Sequence, residues 1–305
     1  MPFTWTALYR QYRIDGEFRS SVNCFAGSFA IAILSWSLGP IITLLTFAVC
    51  IPAAYFSGRY VVGQKPICAA QATFLGLVSS LTYEWLFCFL LELLCFQLSG
   101  TSMGLFLYWK TSPVALFCCY SFVFSVFHFS EYFFTAISNR RSLQPDSFLL
   151  NHSVAYWVAA CASWIEFSVE MYFVPSIKMR SISMLGFLMC MCGEITRKLA
   201  MLHAGNGFTH RLALSKRPDH RLVTTGVYAF VRHPGYAGWF VWSIGTQIIL
   251  CNPLCLCAYA YVSWHFFNER IYDEERDLVN FFGQQYVNYR RNVWVGVPFV
   301  KGFDP

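Results

Sequence analysis

The chain has 305 residues and a formal net charge of +6, yet only 12% of its residues are charged, whereas 56% are apolar and 19% are aromatic. Ordinary soluble domains contain about 25% charged residues. This composition therefore excludes a soluble globular protein and indicates a membrane protein. Nucleic acid is excluded as a partner, because no basic run is interleaved with exposed aromatic residues in the way that a nucleic-acid groove requires.

Apolar segments follow one another along most of the chain and predict about eight membrane spans. A helical span needs about 20 apolar residues to cross roughly 30 Å of hydrocarbon. The predicted fold is thus an all-α polytopic membrane protein. The predicted spans, in chain order, are Val22–Leu38, Pro40–Phe56, Ile67–Leu98, Val114–Ile137, Phe148–Phe173, Ser181–His203, Gly235–Leu250 and Pro253–Phe282.

The distribution of lysine and arginine between the connecting segments predicts the orientation in the membrane. Eight spans place both termini on one side, and basic residues are enriched in cytosolic loops. The opposite side has Lys110 and Lys178. Both termini are therefore predicted to be cytosolic, on the side that carries Arg10, Arg13, Arg19, Arg59, Lys65, Arg140, Arg141, Arg211, Lys216, Arg217, Arg221, Arg232, Arg290, Arg291 and Lys301.

Metal binding is not predicted. Free cysteine is readily buried as a small apolar residue, and nearly all of the 13 cysteines fall within or at the ends of predicted spans. The densest group, Cys251, Cys255 and Cys257, has no nearby histidine. Six acidic residues inside spans are costly unless they are paired or face a wet cavity, and we interpret them as interior structural groups: Glu84, Glu92, Glu131, Glu166, Glu170 and Glu194.

The polar features of functional interest lie in the last third of the chain. A long segment after His203 contains a strand-like run, LVTTGVYAFV, and leads into the sequence RHPGYAG at the start of the seventh span. Pro234 suits the first helical position, because proline lacks an amide hydrogen and none is needed there. His233 is predicted to cap this helix and to leave other amides free for a carboxylate or phosphate.

The last two spans are predicted to form a tight hairpin. Asn252 and Pro253 start the eighth helix directly after the seventh, which at 16 residues is about 24 Å long and short for a full crossing. At the other end of the eighth span, Arg270 and Glu274 are four residues apart and share one helix face. Two interpretations remain open on spacing alone: an ordinary solvated ion pair, or a polar pocket beside the start of the seventh helix.

Two sequences carry a resemblance to a known family. HRLVTTGVYAFVRHPGYAGWFVWSIGTQIILCNP and ERIYDEERDLVNFFGQQYVNYRRNVWVGVPF resemble the C-terminal region of isoprenylcysteine carboxyl methyltransferases, over roughly residues 195–302. Related phospholipid methyltransferases and some sterol reductases share the R-H-P-x-Y-x-G hairpin and the trailing acidic pair. The CNP turn, the number of spans and the GVPF ending favour the isoprenylcysteine branch.

The resemblance implies S-adenosylmethionine as cofactor and a farnesylated or geranylgeranylated C-terminal cysteine as methyl acceptor. It implies that Arg270 binds the acceptor carboxylate as the catalytic, substrate-binding residue. Ala213 departs from the polar residue expected at a contact position. The cofactor contacts that the resemblance implies are Ala213, His220, Arg221, Leu222, Val223, Tyr228, His233, Pro234, Gly235, Tyr236 and Glu274.

The resemblance also implies a division of the chain into residues 1–203, with six transmembrane helices, and residues 204–305, with a cofactor-binding loop, the hairpin and a cytosolic tail. The implied location is the endoplasmic reticulum membrane with a cytosolic active site, and the implied substrates are prenylated CaaX proteins such as Ras-like and Rho-like small GTPases. A phospholipid N-methyltransferase, an NADPH-dependent sterol reductase and a transporter or scaffold without enzymatic activity remain alternatives.

Overall fold

The computed structural model of the chain describes residues 5–36, 46, 48–55, 66–80, 113–150, 153–210, 216 and 221–305. Over these residues the fold is all-helical, and the extended pairing is limited to one isolated parallel bridge between Val231 and Trp294. The all-α fold class is therefore confirmed. The helices are α1 (Trp5–Ile14), α2 (Gly16–Trp36), α3 (Pro66–Ser80), α4 (Pro113–Ser138), α5 (Val154–Phe173), α6 (Arg180–Ala204), α7 (Pro234–Leu250), α8 (Pro253–Phe282) and α9 (Gln284–Asn292).

Most predicted spans coincide with these helices, but two ends differ. The fifth helix begins at Val154, not at Phe148, because the Ser153 side chain accepts a hydrogen bond from the Tyr156 amide at 3.2 Å and caps the helix. Phe148 belongs to a separate 3₁₀ turn. The helix of the first span begins earlier, at Gly16. Much of the predicted second span and residues 81–98 of the third lie outside the described residues, as do Glu84 and Glu92.

Asp15 explains the early start of α2. Its carboxylate accepts hydrogen bonds from the amides of Glu17 and Phe18, both at 3.1 Å, and it pairs with Arg140. Burial raises the pKa of Asp15, but the Arg140 guanidinium and the two amides outweigh that effect, so the pKa lies below its ordinary value. The charged carboxylate thus fixes the N-terminus of α2 to the turn that follows α4.

Among the described helices, the stretch Ala115–Ser138 alone is both long and apolar enough to cross a membrane by composition, and Ile67–Ser80 is a shorter apolar helix. Helices α6, α7 and α8 do not meet these two conditions of length and apolar composition, and each has an identifiable reason. α7 has only 17 residues, and α8 carries a charged sequence in its second half. α6 contains Glu194, Arg197 and Lys198 within its C-terminal half.

Glycines bring α6 and α7 into close contact. A Cβ atom built on Gly193 would lie 2.5 Å from the Gly238 carbonyl oxygen, and one built on Gly238 would lie 2.5 Å from the Gly193 carbonyl oxygen. Gly186 and Gly245 form a similar pair, in which a Cβ on Gly186 would lie 2.7 Å from the Gly245 oxygen. Small residues of this kind allow helix backbones to approach closely in membranes. This packing fixes the start of α7 against the C-terminal half of α6.

The turn of the α7–α8 hairpin is held by a buried lysine. The Lys178 ammonium donates hydrogen bonds to the Leu250 carbonyl at 2.8 Å and to the Asn252 side-chain oxygen at 3.0 Å, and it pairs with Glu170 at 2.6 Å. The predicted tight hairpin is therefore present. Glu170 is a paired interior group, as predicted.

The N-terminus of α8 is capped by a residue of another helix. Asn252 does precede the helix, but its side chain makes no capping bond. Glu166 of α5 instead accepts hydrogen bonds from the Leu254 and Cys255 amides at 2.8 Å and 2.7 Å. A carboxylate at a helix N-terminus is favourable because it meets unsatisfied amides and the positive end of the helix dipole.

Candidate active site

A cavity of about 120 Å³ lies where the start of α7 meets the second half of α8 and the turn after α6. Seven of the residues predicted to form the site line it, and both charged members of the α8 pair are among them. These residues are Tyr228, His233, Pro234, Gly235, Tyr236, Arg270 and Glu274. The hairpin therefore brings two sequence-distant motifs to one cavity.

The other predicted contacts lie elsewhere. Arg221, Leu222 and Val223 are described but do not belong to the lining of the cavity. Ala213 and His220 fall outside the described residues. Their roles as cofactor contacts stay predictions.

The sequence LVTTGVYAFV, which precedes RHPGYAG, does not form a strand, so the prediction of a strand-like run is wrong. Residues Gly226–Ala229 form a 3₁₀ turn, and Gly226 adopts a φ of +64°, which ends extended structure. Pairing with the C-terminal segment is brief: the Arg232 amide donates to the Trp294 carbonyl at 2.8 Å, and the His233 amide donates to the Val295 carbonyl at 3.2 Å. The turn directs Tyr228 into the site, and burial raises the pKa of its hydroxyl above the ordinary value.

His233 precedes α7 as predicted, but its imidazole does not cap the helix. The ring Nε2 instead lies 3.1 Å from the Glu275 carboxylate, and the Arg232 Nε donates to the same carboxylate at 2.8 Å. The amides of Tyr236 and Ala237 bond to the His233 carbonyl at 3.1 Å and 3.0 Å. Contrary to the prediction, these two amides are therefore not free to bind an anion. Glu275, which is fully buried, thus anchors the motif to α8.

Gly235 permits a close approach between the start of α7 and the turn after α6. A Cβ atom at this position would lie 3.0 Å from the Phe208 ring. The Gly235 carbonyl accepts a hydrogen bond from Arg197 Nη1 at 2.8 Å. Any larger residue would have to displace Phe208 and so change the shape of the cavity.

Arg270 and Glu274 do not form a direct ion pair, although they share a helix face as predicted. The Tyr236 hydroxyl lies between them: it accepts a hydrogen bond from Arg270 Nε at 2.9 Å and donates one to Glu274 Oε2. Arg270 Nη2 also donates to the His210 carbonyl at 2.6 Å. Within the described part of the chain, Arg270 Nη1 and Glu274 Oε1 have no hydrogen-bond partner. A cationic donor and an anionic acceptor are therefore available in one cavity.

Arg197 and His210 are among the lining residues that sequence reasoning missed. Arg197 lies in an apolar span and is almost fully buried, and an intramembrane charge is itself a signal of function. His210 lies in a loop and gave no local signal. No group of three His, Cys, Asp or Glu residues suited to a metal ion occurs among the residues that the structure describes.

Comparisons with known proteins agree with this geometry. The model of the isoprenylcysteine carboxyl methyltransferase family matches residues 184–280. A protein-S-isoprenylcysteine O-methyltransferase of Xenopus laevis is 50% identical over 65% of this chain and 69% of its own length. The corresponding protein of Tribolium castaneum is 48% identical over 66% of this chain and 72% of its own length.

The fold has a solved counterpart. The structure of a eukaryotic intramembrane Ras methyltransferase superposes with a TM-score of 0.80 and 38% identity, and covers 95% of this chain and 99% of that one. The chain belongs to the isoprenylcysteine carboxyl methyltransferase family. It is thus a membrane enzyme that methylates the carboxyl group of isoprenylcysteine in CaaX-processed proteins, and not a phospholipid methyltransferase, a sterol reductase, a transporter or a scaffold.

Proposed function

We propose that the cavity at the start of α7 binds S-adenosylmethionine and that Arg270 holds the carboxylate of the methyl acceptor beside it. The observation that supports this assignment is a pair of polar atoms on one face of α8, Arg270 Nη1 and Glu274 Oε1, that have no hydrogen-bond partner among the residues that the structure describes. The guanidinium suits a carboxylate, because its planar fork forms strong charge-assisted hydrogen bonds. The Glu274 carboxylate suits the amino or hydroxyl groups of the cofactor.

The lining of the cavity also fits a sulfonium ion. Tyr236, Trp239 and Phe267 present aromatic groups there, and aromatic faces attract cations. When bound, S-adenosylmethionine supplies an electrophilic methyl group. His233, Pro234, Gly235 and Tyr228 are proposed to contact the cofactor from α7 and the turn before it.

The chemistry needs orientation more than proton transfer. A C-terminal carboxyl group has a pKa of about 3.5 in water and is ionised at neutral pH, so it needs no general base. Arg270 is already oriented by Tyr236 and the His210 carbonyl. Holding both reactants in a productive geometry contributes up to about 7–11 kcal/mol to catalysis.

A second cavity is proposed to hold the prenyl chain. Its volume is about 270 Å³, it lies between α4, α5, α7 and α8, and its lining is mostly apolar. Trp239, Phe266 and Phe267 line both cavities, so the two are adjacent. An apolar cavity beside a cationic donor matches a substrate that joins a farnesyl or geranylgeranyl chain to a carboxylate.

The last part of the proposal concerns the acceptor proteins, the membrane and the orientation of the enzyme. We propose that the acceptors are prenylated CaaX proteins such as Ras-like and Rho-like small GTPases, and that the enzyme lies in the endoplasmic reticulum membrane with its active site and both termini in the cytosol. The basic loop residues support this orientation. Residues 204–305 are proposed to be the catalytic region, after the transmembrane helices within residues 1–203.

The test compares Arg270→Lys with the wild type on N-acetyl-S-farnesylcysteine. Lysine keeps the charge but loses the fork, so methyl transfer should fall by about tenfold or more while S-adenosylmethionine affinity changes little. As a control, an analogue with an amide in place of the carboxylate should bind equally to the wild type and to Arg270→Ala. If the amide analogue distinguishes the two proteins strongly, Arg270 does not act on the carboxylate.

A further inference from the structure

Glu131 of α4 is the centre of a buried ionic network beside the cavity. It is fully buried, and its carboxylate accepts hydrogen bonds from Arg197 Nε at 2.6 Å and from Arg197 Nη2 at 2.9 Å. Lys198 also pairs with it. His210 Nε2 donates to its second oxygen at 2.8 Å, since a carboxylate can only accept. One carboxylate therefore joins α4, α6 and the turn after α6.

Two contacts connect this network to the proposed substrate site. The backbone carbonyl of His210 accepts a hydrogen bond from Arg270 Nη2 at 2.6 Å. Arg197, which Glu131 holds by two bonds, uses its remaining terminal nitrogen to bind the Gly235 carbonyl at 2.8 Å. The network thus touches both walls of the cavity, α8 through His210 and α7 through Arg197.

The bond to His210 is not needed to neutralise Glu131. Arg197 already contacts both carboxylate oxygens, and Lys198 adds a second positive charge. The His210 side chain is 17% exposed, so water could satisfy its ring nitrogen. A buried ion pair needs no further partner once its charges and hydrogen bonds are matched. The remaining effect of the Glu131–His210 bond is to fix the position of residue 210, and with it the carbonyl group that Arg270 binds.

We propose that Glu131 and His210 are positioning residues for methyl transfer: Glu131 fixes the imidazole of His210, and the His210 carbonyl in turn orients the Arg270 guanidinium toward the acceptor. This inference rests on the proposed role of Arg270. It assigns no contact with substrate to Glu131. Arg270 has a second fixed partner in the Tyr236 hydroxyl, so loss of the His210 support loosens the guanidinium without releasing it.

The test uses His210→Ala in the full-length enzyme, because Glu131→Gln would leave two buried cations poorly paired and could prevent folding. His265→Ala is the matched control, since His265 also pairs with a glutamate, Glu269, but is exposed and lies away from the cavity. Each variant is assayed with N-acetyl-S-farnesylcysteine and S-adenosylmethionine after its thermal unfolding has been compared with that of the wild type.

We expect His210→Ala to raise the KM for the acceptor by about tenfold, the effect of weakening one hydrogen bond to a charged group, and to change the KM for S-adenosylmethionine by less than about twofold. His265→Ala should change neither. In an Arg270→Ala background, His210→Ala should cause no further loss, because residues that act through one another are not additive.

Three results would overturn the inference, and they are distinguishable. If Arg270→Ala keeps the wild-type KM for the acceptor, the proposed carboxylate clamp is wrong and the inference falls with it. If Arg270→Ala is impaired but His210→Ala behaves like His265→Ala, the clamp stands and the positioning role is wrong. If the losses from His210→Ala and Arg270→Ala multiply in the double variant, His210 acts independently of Arg270.

Discussion

At the scale of single residues, the Tyr236 hydroxyl separates two opposite charges that would otherwise pair. Arg270 and Glu274 are one helical turn apart, yet each bonds to this hydroxyl and neither bonds to the other. A direct pair would use the donor and acceptor atoms of both side chains. With Tyr236 between them, each keeps one atom that has no hydrogen-bond partner among the described residues, and these are the two atoms that we propose bind the ligands.

Glu274→Ala should therefore weaken S-adenosylmethionine binding by about tenfold, which is the loss expected for one hydrogen bond to a charged group. The protein should remain folded, because Tyr236 keeps its bond to Arg270. Calorimetric titration of the purified enzyme with S-adenosylmethionine measures the change. Glu269→Ala serves as control, because Glu269 is exposed and pairs only weakly with His265 at 3.6 Å. Equal affinities for the two folded variants would contradict the role of Glu274.

At the scale of helices, the position of the site depends on the contact between α6 and α7. Gly193 and Gly238 let the two backbones meet, one turn before Arg197 and one turn after Gly235. Arg197 then reaches the Gly235 carbonyl at 2.8 Å. A small increase in the distance between the helices would break this bond and shift the start of α7 relative to α8.

Gly238→Ala is the corresponding test. Its Cβ would lie 2.5 Å from the Gly193 carbonyl oxygen, so the helices must separate, at a cost of about 1–3 kcal/mol in the free energy of unfolding. Methyltransferase activity should fall together with the unfolding temperature. Gly27→Ala in α2 is a suitable control, because its Cβ would meet nothing within 4 Å. A Gly238→Ala enzyme as stable and active as the Gly27→Ala enzyme would show that the close contact is unimportant.

At the scale of the whole molecule, the α7–α8 hairpin has a buried ionic network at each end. Near the end that contains Arg270, Glu131 pairs with Arg197 and Lys198. At the turn, Lys178 pairs with Glu170. Charges inside a membrane are costly unless paired, and both networks provide such pairing. The hairpin is therefore fixed at two levels, which keeps the cavity at one end of the helix bundle.

Cysteine labelling tests which side of the membrane the cavity end of the helix bundle faces. A cysteine introduced as Ser215→Cys, in the basic segment before the motif, should react with a membrane-impermeant maleimide added from the cytosolic side of sealed vesicles. Ser176→Cys, in the exposed connection between α5 and α6, should react only from the opposite side. Wild-type enzyme gives the background from native cysteines. Labelling of both positions from one side would contradict the predicted topology.

The sequence by itself determined the class of fold and the hairpin, and it indicated the two groups on α8 that we propose as ligand contacts. Apolar length predicts membrane helices because the bilayer imposes it, and Pro234 and Pro253 mark helix starts through local backbone geometry. Arg270 and Glu274 stood out as candidate site residues because their spacing on one helix is a local property and because the surrounding motif resembles a family. These features depend on neighbours in the chain, so they can be predicted without knowing the tertiary structure.

Only the tertiary structure decided which groups satisfy which partners. His233 was expected to cap α7 but bonds to Glu275, and the cap of α8 comes from Glu166 of another helix. The connection from Glu131 through His210 to Arg270 spans sequence separations of 79 and 60 residues. Such contacts arise where packed helices bring buried polar groups together, and each group takes the partner that geometry offers because leaving it unpaired in a low-dielectric interior is costly. No local pattern in the chain specifies that choice.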